Sequence, residues 1–506
     1  MVVHLPKNRV PLLIEESRPG RRGEKMVPVP KGFKAADAIP KNLRREKNAA
    51  LPELTQPDVI RHYTRLSQLN YGLDAGMIPL GSCTMKHNPR LADLVSGLED
   101  AARIHPLQHP SQIQGALRIM YESEQWLKEV LGMDAVSLHP AAGAHGEFLG
   151  LALIRAYHES RGEGAKRTKV VLPDTAHGTN PATAAMIGYE VVEIASTPDG
   201  TVDLAGLKAA LGPYTACFML TNPNTLGIFE NQIHEIQKAV HAVGGLLYYD
   251  GANLNAIMGK ASPGSMGFDV CHTNVHKTFA IPHGAGGPGG GPVGVKTHLI
   301  PFLPNPRIVK KGETYAFEDS AKSIGKIREY WGGFLVQLRC LAYLLLMGGD
   351  GLVEASEIAV LNAAYLQKRL VGVYELPYKK LRKHEFVLSA SKLKRERGIT
   401  AKDIAKRLLD HGFYAPTIYF PLIVDEALMI EPTESEPKDE LDAFADAMLK
   451  IAQEDPNVVK GAPRNAPVAR VDDVWAAKNL VLTWRSLAKL AEQPAAAARS
   501  LVAPTA

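Results

Sequence analysis

The sequence predicts an α/β protein in which a mostly parallel sheet is covered by helices on both faces. Three observations predict this fold. Short apolar runs alternate with helical stretches from about residue 110, each run ends in polar residues, and the pattern changes after residue 330. Alternation of this kind is typical of parallel sheets, whose strands are joined by helices. A smaller C-terminal α+β domain is predicted to follow the large domain.

Four apolar runs are the predicted strands of the sheet. They are KVVLPD (169–174), ACFMLTNPN (216–224), GGLLYYDGAN (244–253) and DVCHTNVHK (269–277). Between the second and third, ENQIHEIQKAVHAVGG has the apolar spacing of an amphipathic helix that ends at Gly244. Ligands of parallel sheets lie at the carboxyl ends of the strands, which is where the unusual polar residues of this chain occur.

The composition divides the chain into four predicted segments. Residues 1–60 are rich in Pro, Gly, Lys and Arg and have no hydrophobic period, which predicts an extended arm, with a disordered tail as the alternative. Residues 61–330 form the predicted large domain. Residues 331–490 form the small one, with an apolar helix in GGFLVQLRCLAYLLLMGG and then a strand and one helix in EFVLSASKLKRERGITAKDIAKRLLDHGFYAP. The low-complexity residues 491–506 are predicted to be flexible.

Charge and cysteine content exclude several classes of function. The 506 residues carry a net charge of +5, from 58 basic and 53 acidic side chains, which gives no footprint for nucleic acid or a membrane surface. The four cysteines form no C-x-x-C pair, which argues against a zinc site or a disulfide framework, and no metal is expected. Without an 18-residue apolar run or a secretory signal, the predicted location is cytoplasmic.

Two charged residues at predicted strand ends indicate the chemistry of the site. Lys277 follows the fourth strand, next to His276, and burial there favours the neutral amine, which is a nucleophile for aldehydes. Asp250 ends the third strand, where a buried carboxylate needs a partner such as the protonated ring nitrogen of pyridoxal phosphate. Taken alone, Lys277 also fits a solvated surface lysine, and Asp250 also fits a helix N-cap or a metal ligand.

A turn of small residues precedes the first helix of the large domain, in HPAAGAHGE. Ala142, Gly143 and Ala144 would let backbone N–H groups approach a phosphate, whose charge a helix N-terminus favours. His145 would then lie flat on the cofactor ring, although a capped turn with a surface histidine is the alternative.

Two further residues that follow strands are candidates for contacts with cofactor oxygens. Thr179 lies in AHGTNPATAAM and Asn222 in TNPNTLG, although Asn-Pro is also a common turn. The order of the turn with His145, then Asp250, then His276-Lys277 about 27 residues later is typical of one class of pyridoxal enzymes. That class is fold type I, the aspartate-aminotransferase-like enzymes.

Long strings of the sequence carry a more specific resemblance. They include PLGSCTMKHNP, HPLQHPSQIQG, HPAAGAHGE, AHGTNPATAAM, LTNPNTLGIFE, YYDGANLNAI and NVHKTFAIPHGAGGPGGGPVGV, followed by KHEFVLS and YFPLIVDEALMIEPTESE. These strings resemble glycine decarboxylase, the P-protein of the glycine cleavage system, from about residue 10 to residue 485. The chain length and the early SRPGRRG resemble the separate second subunit of the two-subunit form.

The resemblance implies specific roles in the site. Lys277 would hold pyridoxal 5'-phosphate as a Schiff base, His145 would stack on its ring, Asp250 would pair with its ring nitrogen, and His276 would flank the lysine. Ser82, Cys83 and Thr84 would border the glycine site. The groups that bind the glycine carboxylate stay open, as does redox control through Cys83.

The resemblance also implies a reaction and its partners. The chain would decarboxylate glycine and transfer the remaining aminomethyl group to the lipoyl arm of the H-protein. It would pair with a homologous first subunit in an α2β2 assembly, with a homodimer as the alternative. An aldolase similar to serine hydroxymethyltransferase and a non-catalytic partner subunit are the competing interpretations.

Overall fold

The computed structural model describes residues 10–23, 30–34, 38–47, 49–284, 289–466 and 468–491. The chain divides into two compact units, of which Leu73–Lys460 forms one and Met1–Gly72 with Gly461–Ala506 forms the other. The predicted boundaries near residues 60, 330 and 490 do not coincide with this division and stay predictions. The predicted flexible tail lies, from residue 492 onward, outside the described residues.

The helices and strands are numbered in chain order. The helices are α1 (Leu13–Glu16), α2 (Gln56–Gln68), α3 (Arg90–Ser96), α4 (Glu99–Ala102), α5 (Gln114–Leu131), α6 (Gly143–Ser160), α7 (Thr179–Ile187), α8 (Leu204–Ala210), α9 (Ile233–Ala242), α10 (Val275–Thr278), α11 (Phe334–Leu370), α12 (Ser391–Arg397), α13 (Ala401–Asp410), α14 (Lys438–Gln453), α15 (Pro456–Lys460), α16 (Asp473–Lys478) and α17 (Trp484–Ala491). The strands are β1 (Ala135–Ser137), β2 (Lys169–Pro173), β3 (Glu190–Ile194), β4 (Thr215–Thr221), β5 (Leu246–Gly251), β6 (Val270–Thr273), β7 (Val293–Val295), β8 (Arg307–Lys311), β9 (Thr314–Glu318), β10 (Phe386–Ser389), β11 (Thr417–Ile418) and β12 (Ala427–Ile430).

In its described residues, the unit that contains both chain ends holds the helices α1, α2, α16 and α17 and no strand. In the segment predicted as an arm, the backbone N–H of Glu53 donates to Ser17 Oγ (2.8 Å), and Arg21 pairs with Asp58 (2.9 Å). Within the described ranges, residues 17–21 are therefore tied to residues 53–58.

A seven-stranded sheet forms the centre of the other unit, in the order β1-β7-β6-β5-β4-β2-β3. The strands from β6 to β3 along this order run parallel, whereas β7 is antiparallel to both of its neighbours. The prediction of a mostly parallel α/β sheet is confirmed. The four predicted runs correspond to β2, β4, β5 and β6, and Gly244 (φ +77°) follows the predicted helix α9.

The second sheet is small and antiparallel, in the order β10-β12-β11. The prediction of a single helix after β10 is wrong, because the structure has two separate helices there, α12 and α13. Gly398 ends α12 in the left-handed region (φ +66°), and Thr400 starts α13 with a capping box in which Asp403 accepts from the Thr400 N–H (2.9 Å). The apolar helix predicted earlier in the chain is α11, which runs on beyond a non-helical Gly348.

Helix α6 packs unusually close to the sheet because two of its contact residues are glycines. A Cβ at Gly150 would lie 2.3 Å from Tyr248 Cε2, and one at Gly146 would lie 2.9 Å from His272 Cβ. Only glycine fits at such distances. The first turn of α6 is thereby held against the carboxyl ends of β5 and β6. None of the helices in the described residues is long and apolar enough to cross a bilayer.

We expect the substitution Gly150→Ala to destabilise the fold by about 1–3 kcal/mol, because the added methyl group overlaps a fully buried tyrosine ring. Gly115→Ala is the matched control in α5, since a Cβ there meets nothing within 4 Å. That control should stabilise the protein slightly, by up to about 1 kcal/mol. Thermal or urea unfolding midpoints measure both effects. Equal midpoints for the two variants would contradict the close packing of α6.

Candidate active site

Lys277 lies on the short helix α10, directly after β6. Its backbone N–H donates to Asn274 O (2.9 Å), and its side chain is half-buried. Within the described residues, which omit 285–288, no hydrogen bond or ion pair engages its amine. Electrostatic interactions join this amine to a surrounding set of titratable groups, which comprises Cys83, Glu147, His177, Asp250, His272, His276, His283, His384 and Glu385.

Asp250 ends β5 with its carboxylate buried, at 2% exposure. Its Oδ1 accepts from the Ala252 N–H (3.0 Å) and lies 3.3 Å from His272 Nε2, while its Oδ2 accepts from Asn180 Nδ2 (3.0 Å). Burial opposes the charge of Asp250, but His272, Asn180 and the Ala252 N–H together hold its pKa below the usual value. Asp250 therefore stays ionised and is suited to neutralise a cation.

His272 supports Asp250 from the next strand. Its Nδ1 lies 2.7 Å from the Tyr248 hydroxyl, and both side chains are fully buried. Burial lowers the pKa of His272 and raises that of Tyr248 well above its usual value, so the pair stays neutral. The tyrosine therefore donates to Nδ1, and the imidazole presents its Nε2–H to Asp250.

A second buried carboxylate, Glu147, lies on α6 close to Asp250. Its Oε1 accepts from Thr179 Oγ1 (2.7 Å), and its Oε2 accepts from Asn180 Nδ2 (2.9 Å). Burial and the charge of Asp250 raise the pKa of Glu147 to about 7. The sequence interpretation missed this residue, although a glutamate two positions after His145 and directly before the apolar run FLGLALI was a usable signal.

The turn before α6 is built from small residues, as predicted from the sequence. Ala142 and Ala144 are exposed, no side chain caps the helix, and a Cβ at Gly143 would lie 2.6 Å from the Asn274 amide. His145 is half-buried and its Nδ1 accepts from the Ala141 N–H (3.2 Å). The helix therefore presents its N-terminus without a side-chain cap.

The glycine run after Lys277 packs against this turn where the structure describes it. The Gly291 N–H donates to Pro140 O (3.2 Å), and a Cβ at Gly291 would lie 2.1 Å from Ala142 O. Nearby, Gly289 and Gly290 approach His276, whose Nδ1 lies 3.5 Å from the Gly290 N. Burial, with the charges of His283 and Lys277, lowers the pKa of His276 to about 4, so this imidazole is neutral.

Two buried glutamates hold the turn formed by Ser82, Cys83 and Thr84. The Ser82 N–H donates to Glu385 Oε2 (2.7 Å), while the N–H groups of Cys83 and Thr84 donate to Glu431 Oε2 (3.1 and 2.9 Å). Ser82 and Thr84 have positive φ values (60° and 48°), a strained conformation that these hydrogen bonds maintain. The turn lies near Lys277, but its backbone donors are already occupied by protein carboxylates.

Thr179 begins α7 and Asn222 directly follows β4, but the polar atoms of both side chains are engaged. The Thr179 hydroxyl contacts Glu147 and His177 Nδ1 (2.9 Å). The Asn222 Oδ1 accepts from the Glu230 N–H (2.9 Å), and its Nδ2 donates to Glu230 O (3.4 Å). The structure thus brings Lys277, Asp250, His145 and the turn before α6 to one edge of the sheet, whereas the Asn222 amide is directed to Glu230.

The chain is similar to known protein families over much of its length. Residues 152–287 match the family described as aminotransferase class-V, and residues 355–470 match the family described as glycine dehydrogenase, C-terminal domain. Over 492 residues the chain is 56% identical to the probable glycine dehydrogenase (decarboxylating) subunit 2 of Pyrococcus abyssi, covering 96% of this chain and 97% of that protein. The chain belongs to the glycine dehydrogenase (decarboxylating) subunit 2 family.

A second relative supports the family, and a solved structure supports the fold. The probable subunit 2 of Thermococcus kodakarensis is 55% identical over 499 residues, covering 97% of this chain and 99% of that protein. The crystal structure of glycine decarboxylase (P-protein) of the glycine cleavage system, in inhibitor-bound form, is similar with a TM-score of 0.68 and 20% identity, covering 82% of this chain and 93% of that one. The predicted family and the fold type I class are confirmed.

In this member of the family, Cys83 is a protonated thiol at neutral pH. Burial raises its pKa to about 11, the charges of Glu431 and Glu385 act in the same direction, and that of Lys277 opposes them. A raised thiol pKa means that less thiolate, the reactive form, is present at a given pH.

We therefore expect alkylation of Cys83 by iodoacetamide to speed up about tenfold per pH unit from pH 7 to pH 10, without a plateau. Peptide mass spectrometry separates Cys83 from the other cysteines. The urea-unfolded chain is the control, since its thiols should level off near a pKa of about 8.5. A plateau near that pH in the folded protein would show that Cys83 is not buried as described.

Proposed function

We propose that this chain is the pyridoxal-phosphate-binding subunit of a glycine decarboxylase. It removes the carboxyl group of glycine as CO2 and passes the aminomethyl group to a lipoyl disulfide. One observation carries the proposal: an amine without a partner among the described residues, Lys277, lies at the same sheet edge as the ionised, buried carboxylate of Asp250. The P-protein likeness supports the choice of glycine as substrate.

The residues present fit pyridoxal phosphate. The uncapped N-terminus of α6 suits a phosphate, and the ionised Asp250 suits a protonated ring nitrogen. A buried oxygen at the same sheet edge, Thr221 Oγ1, has no hydrogen-bond partner among the described residues. A buried oxygen without a hydrogen bond costs free energy, so such an oxygen indicates a site where a bound polar group donates to it.

Each residue has a distinct role in this proposal. When bound, pyridoxal phosphate supplies an electron sink for bond cleavage at the amino-acid carbon. Lys277 would hold the cofactor covalently through its side-chain amine. Asp250 keeps the proton on the ring nitrogen, and His145 flanks the ring. The backbone at Ala142, Gly143 and Ala144 binds the phosphate.

The transfer step balances without another oxidant. The electron pair freed when the C–C bond of glycine breaks forms a C–S bond with one sulfur of the lipoyl disulfide. The S–S bond breaks, and the second sulfur takes up a proton to become a thiol. The lipoyl group is thus reduced while the glycine carboxyl carbon leaves as CO2.

The proposed partners follow from the family and the reaction. Because the relatives are named as subunit 2, we infer a homologous first subunit, in an α2β2 assembly. The lipoylated H-protein would be the acceptor. Ser82, Cys83 and Thr84 remain candidates for the border of the glycine site, through side chains, since their N–H groups are taken. A cytoplasmic location stays a prediction.

We expect Lys277→Ala to abolish both the visible absorbance of bound pyridoxal phosphate and the exchange of the glycine carboxyl group with bicarbonate, because the covalent link is lost. Asp250→Asn should keep the absorbance and lower the exchange rate by about 10²- to 10³-fold, since it removes the charge that holds the ring proton. The exchange assay includes the first subunit and the H-protein.

Lys260→Ala is the matched control, because Lys260 is an exposed lysine that pairs with Glu357. It should leave absorbance and exchange unchanged. Full retention of both signals by Lys277→Ala would overturn the proposal.

A further inference from the structure

A continuous chain of hydrogen bonds links the buried Asp250 to the protein surface. Asn180 Nδ2 donates to both Asp250 Oδ2 (3.0 Å) and Glu147 Oε2 (2.9 Å). The other oxygen of Glu147 contacts the Thr179 hydroxyl (2.7 Å), which in turn lies 2.9 Å from Nδ1 of His177. Glu147 is 3% exposed, whereas His177 is exposed. The buried carboxylate therefore has a hydrogen-bonded route to solvent.

Asp250 and Glu147, the two carboxylates linked by these hydrogen bonds, have different surroundings. Asp250 is held by three donors, namely Asn180, His272 and the Ala252 N–H. Glu147 has the Asn180 and Thr179 donors but also the charge of Asp250 beside it. Two neighbouring buried carboxylates favour different protonation states, because the one with more hydrogen-bond donors keeps its charge and disfavours a charge on the other.

The Thr179 hydroxyl can serve either state of Glu147. When Glu147 is ionised, the hydroxyl donates to it. When Glu147 is protonated, its O–H donates to Thr179, and the hydroxyl turns to donate to His177 Nδ1. The Thr179 N–H also lies 3.2 Å from His177 Nδ1, which makes that nitrogen the acceptor. A glutamine at position 147 reproduces the protonated arrangement, with its oxygen toward Asn180 and its amide N–H toward Thr179.

We propose that Glu147 is a positioning residue with an exchangeable proton: it holds the Asp250 carboxylate through Asn180, and it adds or removes a negative charge beside the partner of the cofactor ring nitrogen. The inference rests on the proposed function, because it concerns binding of pyridoxal phosphate. It implies that the affinity for the cofactor depends on the state of Glu147.

The groups that face Glu147 all lie in this site. They are Asp250 and Tyr248 on β5, His272 on β6, His177 before α7 and Lys277 on α10. Burial keeps His272 and Tyr248 neutral, and partial desolvation together with the charge of Lys277 lowers the pKa of the surface residue His177. Glu147, raised to a pKa of about 7, is thus the member of the set suited to change its charge near neutral pH.

The test measures the dissociation constant of pyridoxal phosphate from the full chain at pH 6 and pH 8, for wild type and variants. At each pH, the dissociation constant of a variant is divided by that of wild type. This ratio removes the pH effects that both proteins share. For Glu147→Gln we expect a ratio near one at pH 6, where wild type is protonated, and a ratio of about three or more at pH 8, where only wild type gains the charge.

Glu436→Gln is the matched control. Burial and the charge of Glu440 raise the pKa of Glu436 to about 7 as well, but Glu436 lies near Ser435, outside the chain from His177 to Asp250. Its ratio should stay near one at both pH values. Glu147→Ala and Asn180→Ala should each weaken binding about fivefold or more, and the double variant should be no weaker than the worse single one, because both act through Asp250.

A ratio near one at both pH values for Glu147→Gln, or the same pH-dependent ratio for Glu436→Gln, would overturn the inference. The inference would also be overturned if the fold-changes of the two single alanine variants multiplied in the double variant. That result would show that Glu147 and Asn180 have separate structural roles. A wild-type chain that binds no pyridoxal phosphate would instead overturn the proposed function, and the inference with it. The two failures are therefore distinguishable.

Discussion

A carboxylate buried at the end of a central strand has to be compensated, and the site is organised around that requirement at Asp250. Its charge is maintained by His272 on the neighbouring strand, by Asn180 on α7 and by the Ala252 N–H. Each of these groups is neutral. The carboxylate therefore keeps its net charge for a cationic partner, which suits the ring nitrogen of pyridoxal phosphate in the proposed function.

The close packing of α6 makes this arrangement possible. Gly146 and Gly150 let the helix approach β5 and β6, so its first turn lies beside the strand ends. The first turns of α6 carry the uncapped N-terminus at Gly143, followed by His145 and Glu147. One helix thus supplies a phosphate site, a ring neighbour and a second carboxylate, and the small residues of the turn are a packing requirement as well as a binding feature.

The parts of the structure with a local signal were predictable from the sequence. Strands β2, β4, β5 and β6 are apolar runs, and Lys277 and Asp250 follow from their positions at strand ends. The prediction of a single helix after β10 was wrong because Gly398 ends one helix and Thr400 caps the N-terminus of the next, within one amphipathic pattern. Asn222 was a candidate because it follows a strand, with a common Asn-Pro turn as the alternative, and in the structure its side-chain amide contacts Glu230.

The contacts that had no local signal join distant parts of the chain. Ser82 and Glu385 are 303 residues apart, and Thr84 and Glu431 are 347 residues apart. No periodicity or motif relates such positions in a single sequence. The family resemblance named the turn at Ser82, Cys83 and Thr84, but only the fold shows that two buried glutamates already occupy its N–H groups.

The most direct test of the central claim is chemical trapping at Lys277. The full chain is incubated with pyridoxal phosphate, reduced with borohydride and digested, and the modified peptide is identified by mass spectrometry. The account predicts the cofactor on Lys277. Modification of another lysine, such as Lys86, which is buried but paired with Glu434, with Lys277 left free, would contradict it.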